Sequence, residues 1–160
     1  MVFAYSVGVT SAPAPLVRVL SEIEDLTKPR LVIRIKLATA AEDRDNGDEP
    51  KSVHTLALID TGATRTCVCA EYLAKIGADS WYPAFQIGVG GLRKCYTHFA
   101  DLSLLGNDKV EFAQFASVEV IDFEPSEHDN IKVLLGMDVL GRFSEIRLRG
   151  FELDFGTVLA

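Results

Sequence analysis

Asp60, Thr61 and Gly62 follow directly on the apolar run "LALI", Leu56 to Ile59. A strand that ends on a carboxylate and turns on a glycine brings an ionisable group to the rim of a core, where it can serve as a general acid or base. Hydrolysis with neither a metal nor a covalent nucleophile needs one group to take a proton from water and another to give one to the leaving atom. Two carboxylates in contact can do both: like charges that close cannot both ionise, so the pair holds one shared proton. Gly62 allows backbone N–H groups to approach such a carboxylate and hold it. The plainer alternative is that Asp60 only ends a strand as a turn former. Its surroundings decide between the two.

The other chemistry-bearing residues carry weaker signals. Cys67, Cys69, Cys95 and His98 have CxC and CxxH spacing, which is loose for zinc and reads as reduced thiols. His54, His98 and His128 have no Ser or Cys nucleophile signature beside them, so a triad has no support. The tip Gly88-Val89-Gly90-Gly91 is not a phosphate cradle, because Arg93 stands where a GxGxxG fingerprint needs its last glycine and no helical pattern follows. No metal and no cofactor is expected.

The elements that must position Asp60 are mostly strands. "RLVIRIKLAT" alternates Ile33, Ile35 and Leu37 against Val32, Arg34 and Lys36, a period-2 pattern. "AAEDRDNGDEPKS" is a polar loop with turn formers, and "VHTLALI" is the strand that delivers Asp60. "CAEYLAKIGAD" reads as a short helix with Ala70, Leu73 and Ile76 on one face and Gly77 as its stop. "FQIGVGGLRKCYTHF" reads as two strand arms around a glycine-rich tip. A hairpin turn is expected at Gly106-Asn107-Asp108, then a strand, a glycine and a short helix in "IKVLLGMDVLGRF", and a final alternating "IRLRGFELDF". "LVRVLSEIEDL" fits strand or helix equally. Strands dominate and helices are short, so the class is mostly β with a closed or folded sheet.

Composition bounds the partners. At 160 residues the chain has the length of one domain. A net charge of -7 argues against nucleic acid, which wants a basic face. No apolar run approaches the roughly 20 residues that span a bilayer, so no membrane is expected. "MVFAYSVGVTSAPAP" has no Lys or Arg ahead of its apolar part, against a cleaved signal peptide. Three cysteines make no disulfide framework, which points to a reducing, cytoplasmic setting.

The order of landmarks resembles the retropepsin family, the single-domain aspartic proteases that include the retroviral enzymes. "LIDTGAT" (Leu58 to Thr64) resembles its catalytic loop, "QIGVGGL" (Gln86 to Leu92) its flap, and "VLLGMDVL" (Val133 to Leu140) the hydrophobic-hydrophobic-Gly segment that supports that loop. "KPRLVIRIKL" and "FELDF" sit where the family has strands. The likeness implies a closed β-barrel of the acid protease fold with one lobe per chain, spanning residues 29–160, and leaves 1–28 as an extension of unknown role.

What the resemblance implies about function is an aspartic endopeptidase acting on polypeptides, with Asp60, Thr61 and Gly62 as the catalytic loop. The chain has no second Asp-Thr/Ser-Gly; Asp79-Ser80 is followed by Trp81. Activity then requires a homodimer in which two Asp60 side chains meet on a twofold axis, with Thr61 reaching to the partner loop. The substrate pocket should be lined by Leu58, Ala63, Thr64, Cys67, Ile87, Gly88, Val89, Gly90, Lys132 and Leu134. Lys132 and Arg65 are the cations expected to favour acidic residues along the substrate, and the terminal "GFELDF" is the first candidate for the dimer contact.

Two departures stand out. Where the family commonly has an Asp–Arg ion pair behind the loop, this chain has Thr64 and Met137, so both partners are missing together. Ala63 carries no hydroxyl to add a further hydrogen bond to the carboxylate. The alternative function is a catalytically silent retropepsin-like module that binds peptides or dimerises.

Overall fold

Four stretches of the chain are described by a computed structural model: residues 16–22, 30–88, 90–125 and 129–159. Val89 and His128, both named above, lie outside the described residues, as does most of the 1–28 extension. Among the described residues the regular structure is ten strands, two short α-helices and one 3-10 turn, Ala41–Asp43.

Six strands close into a barrel. β2 (Val32–Thr39) pairs with β3 (Ser52–Ile59), which pairs with β8 (Val133–Leu135). The ring continues through β4 (Cys67–Cys69), β7 (Glu111–Phe123) and β6 (Gly91–Leu105), and β6 returns to β2. Period-2 alternation gives the barrel its filling: Ile33, Ile35 and Leu37 of β2 and Leu102 and Leu104 of β6 are wholly buried. β5 (Tyr82–Gly88) hangs outside the ring as the second arm of a long hairpin with β6, in register Gln86↔Arg93 and Gly88↔Gly91.

A separate three-stranded sheet has the order β1 (Val17–Leu20), β10 (Glu152–Phe155), β9 (Ile146–Arg149). It resolves the ambiguous "LVRVL" as a strand and ties part of residues 1–28 to the rest of the chain. Phe155 of β10 is fully buried and packs against Phe112 and Phe143 with ring centroids 5.3 and 5.0 Å apart. Both edges of β10 are occupied within its own chain, so "GFELDF" offers no free edge for the interleaved dimer contact expected from sequence. The outer edge of β9 has no strand partner among the described residues.

The first helix, α1 (Ala70–Lys75), buries Leu73 and is followed by buried Ile76, but Ala70 faces solvent. Gly77, at φ +67°, ends it: the Ala78 N–H reaches the Leu73 carbonyl at 2.9 Å across that left-handed residue. The turn at Gly106 closes with the Lys109 N–H on the Gly106 carbonyl at 2.9 Å, and the Asn107 side chain bonds both backbone groups of Leu20 on β1. No helix of the described residues is long and apolar enough to cross a membrane.

Candidate active site

Asp60 leaves the end of β3 because its backbone is captured by the neighbouring parallel strand. β3 and β8 pair as Leu58↔Leu134 and Ile59↔Leu135, and the Asp60 N–H donates to the Leu135 carbonyl at 3.0 Å. The chain then turns tightly: the Ala63 N–H donates to the Asp60 carbonyl at 3.2 Å, and the Gly62 N–H donates to Asp60 Oδ1 at 3.0 Å. A Cβ on Gly62 would stand 3.3 Å from that same oxygen. The carboxylate is thereby aimed by its own loop.

A second segment clamps the loop from behind. The Met137 N–H donates to the Ala63 carbonyl at 2.8 Å and the Asp138 N–H to the Thr64 carbonyl at 3.2 Å. Asp138, at the start of the short helix α2 (Met137–Leu140), accepts the Thr66 hydroxyl at 2.8 Å and the Thr66 N–H at 3.0 Å. Thr66 Oγ1 accepts in turn from the Gly136 N–H at 3.1 Å. Gly136 permits the contact, since a Cβ there would lie 2.6 Å from the Arg65 backbone carbon. In place of an Asp–Arg pair at Thr64 and Met137, the tie runs between the Thr66 hydroxyl, two residues beyond Thr64, and the Asp138 carboxylate, one beyond Met137.

Asp60 opens onto a cavity of about 650 Å³. Its floor comes from Asp60, Gly62, Ala63, Thr64 and Arg65, its roof from Phe85, Gln86, Ile87 and Gly88 of the hairpin, and its end wall from Ile121 and Leu134. A smaller cavity of about 310 Å³ shares Gln86, Gly88 and Leu134 with it and adds Cys67, Gly90, Gly91, Arg93 and Phe123. The Gln86 carboxamide donates to Cys67 Sγ at 3.6 Å, joining roof to floor.

Of the residues named from sequence, Asp60, Gly62, Ala63, Thr64, Ile87, Gly88 and Leu134 meet at the larger cavity. Cys67 and Gly90 meet at the smaller one. Leu58, Thr61 and Lys132 line neither. Leu58 is half-buried between Val32 and Leu134, and the Lys132 carbonyl is taken by the Cys69 N–H at 2.9 Å. Arg65 does reach the cavity, but its guanidinium is paired with Glu119 at 3.2 Å.

Sequence reasoning missed Gln86 and Arg93, although the alternation of a hairpin puts both on one face. It also missed Ile121 and Phe123, which no local pattern gives: they arrive because β7 runs parallel to β4, with Cys67↔Ile121 and Cys69↔Phe123.

Thr61 lines a different, apolar cavity of about 370 Å³, together with Ile59, Met137, Leu140, Ile146 and Leu148 among others. The thiols are free and buried. Burial pushes the Cys67, Cys69 and Cys95 thiols up, so all three stay protonated at neutral pH. No cluster of three or more His, Cys, Asp or Glu among the described residues is arranged to hold a metal ion.

No protein-family model matches the sequence, and no curated protein matches it. Among solved structures the chain is similar to a retropepsin-like aspartic protease from Rickettsia conorii, with a TM-score of 0.55 over 94% of this chain and 97% of that one. The two sequences are 16% identical, and the likeness is one of fold. The fold is a retropepsin-like, mostly β closed barrel.

Proposed function

We propose that the protein is an aspartic endopeptidase that acts as a homodimer on polypeptides. The observation that carries this reading is the placement of Asp60: its carboxylate is oriented by the Gly62 N–H, backed by the Thr66–Asp138 clamp, and opens onto a cavity roofed by a glycine-tipped hairpin. A retropepsin-like fold in a solved aspartic protease adds support at the level of architecture.

In the proposed dimer two Asp60 carboxylates face each other and share one proton. The ionised member takes a proton from a water held between them as its oxygen attacks the peptide carbonyl carbon. The protonated member donates to the carbonyl oxygen. Collapse of the tetrahedral gem-diol breaks the C–N bond: the amine nitrogen receives the proton the base had accepted, and one hydroxyl returns its proton to the other carboxylate, which leaves a carboxylic acid and restores the shared proton. The hairpin closes over an extended substrate and offers backbone hydrogen bonds, as an added strand would receive.

One chain supplies one such carboxylate, and Thr61 is exposed beside an apolar cavity that a second copy would cover. Leu148, on β9, whose outer edge has no strand partner among the described residues, lines that cavity and is 54% exposed. These features support a dimer contact at β9 and the Thr61 cavity rather than at β10.

The deciding experiment incubates the full chain with a diverse peptide library and reads new termini by mass spectrometry. Wild type should cut and Asp60→Asn should not, with unchanged circular dichroism and unchanged sedimentation. Asn is nearly isosteric with Asp but cannot take up or give up a proton as a carboxyl group does. Residual cleavage above a few per cent in the purified variant would sink the mechanism. Peptide binding without cleavage in both proteins would leave the silent-module reading.

A further inference from the structure

We infer that Arg93 selects substrates carrying an acidic side chain at the position that enters the smaller cavity under the hairpin. The inference rests on reading the Asp60 cleft as a polypeptide groove. Arg93 lies on β6 directly opposite Gln86 of β5, so both side chains leave the hairpin on the same face. Both line the smaller cavity, which shares Gln86, Gly88 and Leu134 with the Asp60 cavity as a common wall.

The chemistry of that cavity is divided. Its walls are apolar where Cys67, Phe123 and Leu134 meet, and its hairpin side carries two donors, the Arg93 guanidinium and the Gln86 carboxamide. Among the described residues Gln86 Nε2 donates to the Cys67 sulfur alone, a weak acceptor, which leaves it ready to turn to a better one. No Asp or Glu lines the cavity. An aliphatic stem ending in a carboxylate, as in glutamate, matches both halves.

Charge accounting points the same way: of Arg44, Arg93 and Arg142, which make no carboxylate ion pair among the described residues, Arg93 alone lines either cavity. Arg18, Arg30, Arg34, Arg65, Arg147 and Arg149 each pair with a carboxylate. Among the described residues no carboxylate pairs with Arg93, in a chain whose net charge is -7. A guanidinium cannot be deprotonated away and presents a planar fork that fits a carboxylate with two parallel bonds. Arg65, expected from sequence to play this part, is already neutralised by Glu119, and Lys132 lines neither cavity.

The test uses the full chain as wild type, Arg93→Leu and Arg93→Glu, and a peptide panel varied to Glu, Gln, Leu and Lys at each position around the cut. Arg93 is exposed, so its variants should keep the thermal midpoint of wild type. At one position the Glu peptide should exceed its Leu and Gln counterparts in kcat/KM by about tenfold or more, the size of a hydrogen bond to a charged group. In Arg93→Leu that ratio should fall to about one, and in Arg93→Glu the preference should pass to Lys. A Glu preference that survives in Arg93→Leu, or none in wild type, overturns the inference and leaves the protease reading intact. If wild type cuts nothing, the protease reading fails and equilibrium binding of the same panel decides. Loss of Glu-peptide binding in Arg93→Leu then upholds the inference, and equal or absent binding overturns it.

Discussion

The Thr66 hydroxyl donates to Asp138 Oδ1 at 2.8 Å while the Thr66 backbone N–H donates to Oδ2 at 3.0 Å. Both oxygens of one carboxylate are thus spent on one residue, and Thr66 is wholly buried. Asp138 Oδ1 also accepts the Val139 N–H at 2.9 Å, which fixes the start of α2. Removing the carboxylate strands two buried donors at once, so Asp138→Ala should cost about 2–3 kcal/mol. It should also lower cleavage, because the loop carrying Asp60 loses its backing. Urea unfolding measures the first effect and peptide hydrolysis the second; a stability change under about 0.5 kcal/mol would show that the clamp is not holding the loop.

Gly136 and Gly90 make a matched pair of tests. An alanine at Gly136 would drive its Cβ to within 2.7 Å of the Arg65 carbonyl oxygen and 2.9 Å of the Thr66 nitrogen, both backbone atoms that cannot step aside. Gly136→Ala should therefore fail to fold or lose about 3 kcal/mol or more. At Gly90 nothing lies within 4 Å. Gly90→Ala should fold with an unchanged thermal midpoint, whatever it does to the closing of the hairpin. Equal midpoints for both variants would contradict the close approach at Gly136.

The position of β10 changes what a C-terminal truncation should do. Leu153 and Phe155 are buried and β10 is flanked by strands on both sides, so removing Phe151 to Ala160 should unfold the domain rather than merely separate two copies. Phe155→Ala alone should cost about 3–5 kcal/mol. Leu148→Arg, by contrast, should leave the thermal midpoint of the isolated chain unchanged and weaken self-association. Analytical ultracentrifugation over a dilution series separates the two outcomes, and specific activity should fall in step with the dimer fraction. Self-association unaffected by Leu148→Arg would place the contact elsewhere.

Acid should loosen the β1–β10–β9 sheet first. Arg18 stands directly across from Asp154 and bonds both its oxygens, at 2.8 and 3.2 Å, which holds the carboxyl below its ordinary range even though burial pulls the other way. A depressed carboxyl contributes stability above its unfolded value, about 3.9, and loses it as pH falls through the lower folded value. Asp154→Asn should then be less stable than wild type by a constant gap above about pH 5, a gap that closes below about pH 4. Chemical denaturation at stepped pH reads it directly, and a gap independent of pH would mean that Arg18 does not set the carboxyl's titration.

Much of the site could be read from sequence because its signals are local. Asp60 and Gly62 are set by turn chemistry within a few residues, whereas the close approach that needs a glycine at 136 is to Arg65 and Thr66, far away in the chain. The strand that delivers Asp60 and the hairpin that roofs it follow from period-2 alternation and clustered glycines. Alternation fixes which residues share a face, and no more than that. Which face meets which neighbour is decided when β6 closes on β2 and β7 comes to lie parallel to β4, pairings between residues more than fifty apart in the chain. That closure brings Ile121 and Phe123 to the pocket, leaves Lys132 outside it, and puts Arg93 at its mouth. It also seats β1 against β10, where sequence alone left "LVRVL" undecided. The loop chemistry is local and so was written in the residue types; the pocket is the product of long-range register, which only the folded barrel supplies.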